Sequence, residues 1–218
     1  MNVQQVCKSH RQIFIKSAQS RENPRMVACI CGSTQKKPRK QLFLLMFMSS
    51  TLICRALSAS DLPLILRLQA ELYPAELHES AAFFMNRIAL AAATCRVVMN
   101  AQRLAGYLIA YPWDSGLPPA LDLPLDALPV RADCWFVHDC AVARWAQGKG
   151  VARMMLRDSA RSAAQAGLTR ASLVSLASAV TYWEKQGYAA ATSSADLARK
   201  LAGYGTGAVY MSRALPAQ

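Results

Sequence analysis

The sequence predicts an α/β (α+β) fold in which helices flank one mixed central sheet. Three observations support this class. More than half of the 218 residues are hydrophobic (53%), which is ample for a packed core. Strand-like and helix-like segments follow one another in the order βααββ and then βαβαβ. A helical crossover between two strands makes those strands parallel, whereas the earlier strands are antiparallel neighbours.

The first predicted elements supply the antiparallel strands. "TLICRAL" (51–57) is rich in β-forming residues and predicts a strand. Residues 58–73 predict a helix, with Ser60 as the N-cap and apolar residues at helical spacing. Residues 78–93 predict a second helix. The stretch 95–113 holds two β-rich runs around the polar turn "NAQR" and predicts a hairpin.

The later elements supply the parallel pair. Four prolines mark 114–133 as a long connection, a kind of loop that is usually functional or mobile. The elements predicted after it are strands at 134–143, 170–176 and 207–215 and helices at 151–167 and 178–187. The first of these helices places Arg153, Arg157 and Arg161 on one solvent-exposed face. Because it joins two strands, we expect those strands to lie parallel.

The first 47 residues differ in character from the rest of the chain. They hold nine of the 25 basic and one of the 13 acidic residues, so +8 of the net charge of +12 lies there. We expect 1–47 to be a basic, disordered extension, or the product of a misassigned start, and 48–218 to be the folded domain. The apolar run that breaks at Ser49-Ser50-Thr51 is too short to cross a bilayer, so we expect no membrane attachment.

Charge and cysteine usage narrow the class of partner and the compartment. Outside the extension, the motifs show no basic, aromatic-rich face, so we expect no nucleic-acid partner. The seven cysteines are scattered, and Cys29 and Cys31 have no second pair at zinc spacing, so we expect no metal site. Buried free thiols favour a reducing, cytoplasmic location.

The stretch "HDCAVARWAQGKGVARMML" (138–156) joins a strand to a helix through a glycine-rich turn. A Walker P-loop needs a longer glycine spacing that ends in Lys-Ser/Thr, and a dinucleotide fingerprint needs a third glycine where Arg153 stands. The pattern Gln/Arg-x-x-Gly-x-Gly/Ala fits instead, with Gln147, Gly150 and Ala152. Unpaired N–H groups and the dipole at a helix start suit a pyrophosphate. An ordinary turn that needs glycine for its backbone angles is the alternative.

Together these stretches resemble the GCN5-related N-acetyltransferase (GNAT) family over roughly residues 50–215. "HDCAV" resembles the family's fourth strand, and the turn resembles its core motif. "SAVTYWEKQGY" (178–188) is similar to the family segment Asn-x-x-Ala…Phe-Tyr-x-x-x-Gly-Phe. Its matching positions are Ala179, Tyr182, Glu184, Lys185, Gly187 and Tyr188. The resemblance implies a GNAT-like sheet whose parallel pair splays apart and receives the pantetheine arm of acetyl-CoA as an extra strand.

The resemblance further implies an N-acetyltransferase that moves an acetyl group directly from acetyl-CoA to a primary amine. The acceptor would be a small molecule or a peptide. The resemblance leaves open whether the protein forms a homodimer. The implied cofactor-binding residues are Cys140, Ala141 and Val142 along pantetheine, Gln147, Gly148, Lys149, Gly150, Val151 and Ala152 on the pyrophosphate, and Ser178 where relatives often carry asparagine. A non-catalytic acyl-CoA-binding or regulatory module is the alternative function.

Acetyl transfer also needs a proton donor for the departing thiolate and a base for the amine. Many relatives use a tyrosine where this chain has Trp183, and Tyr182, one position earlier, is the expected general acid. His138 and Asp139 are the candidate bases, and alternation along a strand predicts that they face opposite sides of the sheet. The candidate acceptor contacts in the 73–79 and 114–132 connections are Tyr73, Glu76, His78 and Glu79, with Trp113 as a further wall.

Overall fold

A computed structural model describes residues 51–73, 75, 78–119 and 123–215. Its elements are β1 (Leu52–Ala56), α1 (Leu62–Leu72), α2 (Ala81–Ala91), β2 (Arg96–Asn100), β3 (Arg103–Trp113), β4 (Cys134–Val142), α3 (Val151–Gln165), β5 (Arg170–Ser175), α4 (Val180–Lys185), β6 (Ala189–Ala190), α5 (Ala195–Ala202) and β7 (Val209–Ala214). The extension predicted at 1–47 lies outside the described residues. None of the helices in the described part of the chain is long and apolar enough to cross a membrane.

All seven strands form one sheet in the order β1-β2-β3-β4-β5-β7-β6. β4 and β5 are parallel and are joined by α3, whereas every other neighbouring pair is antiparallel. This arrangement confirms the predicted mixed sheet, with antiparallel strands first and one parallel pair after the crossover helix. The predicted hairpin is also present, because β2 and β3 are separated only by Ala101 and Gln102.

The parallel pair opens along its length. β4 pairs with β5 only from Cys134 to Val137, opposite Arg170 to Leu173. Beyond that point β4 continues to Val142 with β3 as its partner, and β5 continues with β7. Within the described residues, the second half of β4 therefore has a sheet partner on one side only, and the predicted splay is present in the structure.

The start of α1 differs from the prediction. Ser58, and not Ser60, caps a short 3-10 turn at Ala59–Asp61, and α1 follows it from Leu62. The Ser58 main-chain N–H donates to the Asp61 carboxylate at 2.9 Å, and Arg55 forms an ion pair with the same carboxylate at 2.6 Å. The capping residue of this turn therefore lies two residues before the predicted Ser60, whereas α1 itself begins at Leu62 with Asp61 at its N-cap.

The first turn of α3 lies directly on β3 and β4 because residue 106 is glycine. A Cβ atom at Gly106 would lie 2.6 Å from the Ala141 carbonyl oxygen and 3.0 Å from Val151 Cγ1. α3 is also tied to β2, because Arg96 Nε lies 2.6 Å from Asp158 Oδ2. The position of the helix start relative to the open part of β4 is therefore fixed from two sides.

The long connection after β3 contains no helix or strand in its described parts, 114–119 and 123–133. It is bonded to α2 through Asn86, whose amide nitrogen donates to the Leu125 carbonyl at 2.9 Å and whose oxygen accepts from the Leu125 N–H at 3.1 Å. The Tyr204 hydroxyl, just after α5, donates to the Pro119 carbonyl at 2.8 Å. The connection is thus held against the body of the protein at both of its described ends.

Candidate functional site

The glycine-rich turn between β4 and α3 has a left-handed backbone at two positions. Gly148 has a φ of 75° and Gly150 a φ of 77°. No atom of the described residues lies within 4 Å of a Cβ atom built at either glycine. Glycine is therefore required at both positions by the backbone angles and not by close contact. This finding agrees with the alternative given above, an ordinary turn that needs glycine for its backbone angles.

The same turn leaves main-chain donors without partners inside the helix. Met154 makes the first intrahelical bond, from its N–H to the Gly150 carbonyl at 2.9 Å. The N–H groups of Val151, Ala152 and Arg153 precede that bond and have no carbonyl within α3 to pair with. Because they lie at the positive end of the helix dipole, they form a site suited to an anion.

Two side chains of the turn contact the residues that come before it in the chain. Gln147 Nε2 donates to the Val142 carbonyl at 3.3 Å. Lys149 Nζ lies 5.3 Å from the centre of the Trp145 ring, which also carries the Arg103 guanidinium at 4.3 Å. Both cationic side chains lie on the Trp145 ring, shortly before the start of α3, and add positive potential there.

The cofactor residues predicted on the strands line the opening in the sheet. Cys140, Ala141 and Val142 lie in the part of β4 that β5 does not pair with. Ser178 is exposed in a 3-10 turn, Ala177–Ala179, directly after β5. The opening therefore has the β4 main chain on one side, Ser178 near the other, and the helix start at its end.

The prediction that His138 and Asp139 face opposite sides of the sheet is wrong. Ile109 pairs with Asp139, whereas Ala110 pairs with Val137, so His138 is an extra residue in β4. Such a β-bulge places two successive side chains on the same side of a strand. Both side chains accordingly bond to tyrosines of β3 that lie four residues apart and so share one face.

Asp139 lies between two tyrosine hydroxyls. The Tyr73 hydroxyl donates to Oδ1 at 3.0 Å, and the Tyr107 hydroxyl donates to Oδ2 at 2.8 Å. Burial raises the pKa of Asp139 above its usual value, although the two hydroxyls oppose the rise. Burial, followed by the neighbouring Asp139, raises the pKa of both tyrosines, which therefore keep their protons.

His138 is enclosed by a second set of polar groups. Its Nε2 atom lies 3.2 Å from Glu79 Oε1, and its Nδ1 atom lies 3.1 Å from the Tyr111 hydroxyl. Glu79 is buried and is therefore not a solvated charge on the loop, while His78 bonds to the Tyr73 carbonyl at 2.9 Å. The third polar candidate of this loop, Glu76, lies outside the described residues.

The two aromatic residues at 182 and 183 differ in how deeply they are buried. Trp183 is fully buried and packs edge-on against Tyr188 at 5.3 Å. Tyr182 is half-buried, and burial, with a smaller effect of Cys140 on the open part of β4, raises its pKa to about 12. Of the two residues, Tyr182 is thus the one that is partly exposed, and the effect of Cys140 on its pKa links it to the open part of β4.

Arg87 is a part of this site that sequence reasoning missed. It is fully buried, with its guanidinium carbon 4.4 Å from the Phe83 ring and 5.2 Å from the Tyr111 ring. Its Nη2 atom donates to the Leu123 carbonyl at 2.9 Å, and its Nε has no hydrogen-bond partner among the residues that the structure describes. An arginine on the apolar face of a helix was the available signal, because such a charge is rarely buried without a specific use.

The remaining predicted groups have ordinary roles. Trp113 donates from its indole nitrogen to the Leu117 carbonyl at 3.0 Å and packs edge-on against Tyr111. It thereby stands where β3 enters the long connection. In the described parts of the chain, no three His, Cys, Asp or Glu side chains are placed to hold a metal ion.

The sequence profile of the Acetyltransferase (GNAT) family matches residues 62–188, a stretch that runs from α1 through the glycine turn and α4. That stretch is more than half of the chain. The protein belongs to the GNAT acetyltransferase family. A search of curated protein sequences found no significant match.

Solved structures of other GNAT proteins share the fold. The loading GNATL domain of CurA from Lyngbya majuscula has a TM-score of 0.62 at 11% identity, with 76% of this chain and 98% of that chain covered. The ribosomal-protein-S18-alanine N-acetyltransferase from Escherichia coli has a TM-score of 0.53 at 16% identity, with 77% and 96% covered. PaiA N-acetyltransferase from Thermoplasma acidophilum, solved in complex with coenzyme A, has a TM-score of 0.54 at 12% identity, with 75% and 99% covered. At these identities the similarity concerns the fold.

Proposed function

We propose that this GNAT protein transfers an acetyl group from acetyl-CoA directly to a primary amine of a small-molecule or peptide acceptor. The observation that carries the proposal is the opening between β4 and β5, which ends at the N–H groups of the α3 start that have no carbonyl partner within the helix. A strand without a partner on one side suits an amide-containing arm, and a helix start suits a diphosphate. The coenzyme A bound to the Thermoplasma acidophilum relative supports the choice of carrier.

In this proposal the cofactor residues divide into two sets. Cys140, Ala141 and Val142 bond through their main chain to the pantetheine arm, and Ser178 contacts it from the side of β5. The residues that hold the diphosphate are Gln147, Gly148, Lys149, Gly150, Val151 and Ala152. In the structure the Gln147 amide donates to the Val142 carbonyl. In this proposal the pantetheine arm takes that carbonyl as its own partner, and the Gln147 amide turns toward the cofactor.

The chemistry follows from where these groups lie. The acceptor nitrogen attacks the thioester carbon, so that an N–C bond forms and the C–S bond breaks. Asp139 or His138 accepts the proton that the amine loses, because the bulge places both side chains on one face of β4. Tyr182 gives its proton to the departing thiolate, and its raised pKa keeps that proton in place at neutral pH.

In this proposal the acceptor enters near Tyr73 and Trp113, which follow α1 and end β3. The Tyr73 hydroxyl bonds to Asp139, and the Trp113 indole bonds to the Leu117 carbonyl. Free thiols at Cys95, Cys134 and Cys140 fit a reducing compartment such as the cytoplasm. The basic segment at 1–47 lies outside the family match, and its removal should leave acetyl-CoA affinity unchanged.

Two measurements test the proposal. Calorimetry should show that acetyl-CoA binds, and thiol release should accelerate with at least one compound of an amine panel. Lys149→Gln should weaken binding, whereas Lys200→Gln, an exposed change on α5, should not. The absence of any heat of binding for acetyl-CoA would overturn the proposal.

A non-catalytic acyl-CoA-binding or regulatory module remains the second candidate. Trp183 favours it, because the indole that replaces the usual tyrosine is buried and is not an acid. Binding of acetyl-CoA without thiol release on any amine would support this candidate over the enzyme.

A further inference from the structure

Glu79 is a buried carboxylate whose main chain is locked to α1. Its side chain is 5% exposed. Its N–H donates to Gln69 Oε1 at 2.7 Å, and its carbonyl accepts from Gln69 Nε2 at 3.0 Å. Gln69 is itself buried, so the amide holds residue 79 from both of its main-chain groups. A carboxylate is costly to bury unless it is paired, and its position is therefore set for a specific partner.

That partner is His138, whose side chain is also 5% exposed. A carboxylate can only accept, so Nε2 carries the hydrogen in its 3.2 Å bond to Glu79. In a neutral ring the other nitrogen, Nδ1, then has a free lone pair, and the Tyr111 hydroxyl donates to it at 3.1 Å. Burial raises the pKa of Tyr111, so this hydroxyl keeps the hydrogen that it donates. The contacts of Glu79 and Tyr111 together select one tautomer of His138.

We propose that Glu79 is a positioning residue for acyl transfer: it fixes His138 with Nδ1 as the proton-accepting atom and stabilises the imidazolium that forms. The inference rests on the proposed function and selects His138 as the base. As the acceptor nitrogen bonds to the acetyl carbon, its proton passes to the Tyr111 oxygen, and the Tyr111 hydroxyl proton passes to His138 Nδ1. The C–S electron pair leaves with sulfur, which takes the Tyr182 proton.

The charges around His138 suit an imidazolium. Glu79 faces it from the segment before α2, and Asp139 follows it in β4. The guanidinium of Arg87, on α2, lies over the Tyr111 ring at 5.2 Å, and its charge and a side-chain hydrogen bond oppose the rise in the pKa of Tyr111. Tyr111 faces His138 from β3. Among the described residues, the negative charges of the Glu79 and Asp139 carboxylates therefore offset the positive charges of the Arg87 guanidinium and of a protonated His138.

The first test compares Glu79→Gln with the wild type in the full-length protein. We expect kcat to fall at least about tenfold, since a positioned base contributes about 10²–10⁴ in rate. The acidic limb of the pH profile of kcat/KM should move to lower pH, because the imidazolium loses its carboxylate. KM for acetyl-CoA should stay unchanged. Glu71→Gln, an exposed change on α1, is the matched control and should leave all three unchanged.

The second test reads the tautomer directly by ¹⁵N NMR of the imidazole rings. The chain has three histidines, and His138→Gln assigns the signals of the third. The wild type should show His138 protonated at Nε2, and Glu79→Gln should show a mixture of tautomers. A wild-type ring protonated at Nδ1 would overturn the inference.

The outcomes separate the inference from the function on which it rests. Thiol release by the wild type with an unchanged pH profile in Glu79→Gln overturns the inference alone. No thiol release on any amine overturns the proposed enzyme and the inference with it. Where a thermal melt shows that Glu79→Gln does not fold, Tyr111→Phe replaces it. That variant should lose at least about tenfold in kcat, since it breaks the proton path to the base, and an unchanged kcat overturns the inference.

Discussion

Val137 and Leu173 are the last residues that β4 and β5 share as a pair, and beyond them the two parallel strands have separate partners. This separation leaves one side of β4 without a strand over residues 138–142. All the candidate chemistry lies around that gap, with the proton-accepting groups on the α1 and α2 side and the glycine turn at its end. The gap therefore connects the proposed cofactor part of the site with the proposed acceptor part.

Gly150→Ala separates cofactor binding from backbone strain. An alanine with left-handed backbone angles lowers the free energy of unfolding by about 1 kcal/mol. The altered turn should also misplace the N–H groups at the α3 start. Gly167→Ala is the control, because Gly167 has a φ of 86° and open space for a Cβ atom at the other end of α3. Thermal denaturation should show similar losses for both variants, whereas calorimetry should show weaker acetyl-CoA binding only for Gly150→Ala. Equal affinities would contradict the proposed role of the turn.

Gly106→Ala tests the packing that positions the helix start. The added methyl group would lie 2.6 Å from the Ala141 carbonyl, so either the strand or α3 must move. Overpacking of this kind costs about 1–3 kcal/mol, and the free energy of unfolding in urea should fall by that amount. Gly203→Ala, where the nearest atom would be an ordinary 3.5 Å away, should cost less. A Gly106→Ala protein of wild-type stability would show that α3 tolerates displacement.

Asp139→Asn tests the buried carboxylate through its pH dependence. The pKa of Asp139 is raised by burial, so its ionised form destabilises the fold above the folded-state pKa. This penalty disappears as the pH falls through that pKa and toward the unfolded value. At pH 7 the asparagine variant should therefore melt at the same temperature as the wild type or higher, and this difference should shrink by pH 4. A difference that grows on acidification would contradict the sign of the shift.

Tyr182→Phe tests the proton donor. With its pKa raised to about 12, the Tyr182 phenol is protonated across the neutral range. Loss of the hydroxyl should lower kcat by about a hundredfold, the lower end of what a general acid contributes. Acetyl-CoA affinity, measured by calorimetry, should stay unchanged. Trp183→Tyr should not restore activity in that variant, because residue 183 is buried against Tyr188; restored activity would assign the acid to position 183.

The fold and the glycine turn could be predicted because their signals are local. Gly148, Gly150 and the apolar spacing of the following helix are contiguous in the sequence, and the crossover rule converts that helix into a parallel pair. β6 and α5 received no prediction, since β6 has only two residues and both are exposed. The sequence showed a strand before the turn but carried no mark of where that strand loses its partner.

The polar site could be predicted only in part because it is assembled from distant segments. His138 and Asp139 were found as candidates, yet their common face depends on a bulge that exists only in the pairing of β4 with β3. Glu79 and His138 are 59 residues apart in the chain, and Tyr73 and Asp139 are 66 residues apart. No spacing rule within one element connects such pairs.

Asn86 and Arg87 hold the connection after β3 through main-chain atoms of Leu123 and Leu125. Hydrogen bonds to main-chain atoms do not depend on which side chains the segment carries. Side-chain substitutions in this segment can therefore change its surface without loosening its attachment. If the segment forms the acceptor wall of the proposed enzyme, such a tether allows acceptor preference to change in evolution while the rest of the site stays constant.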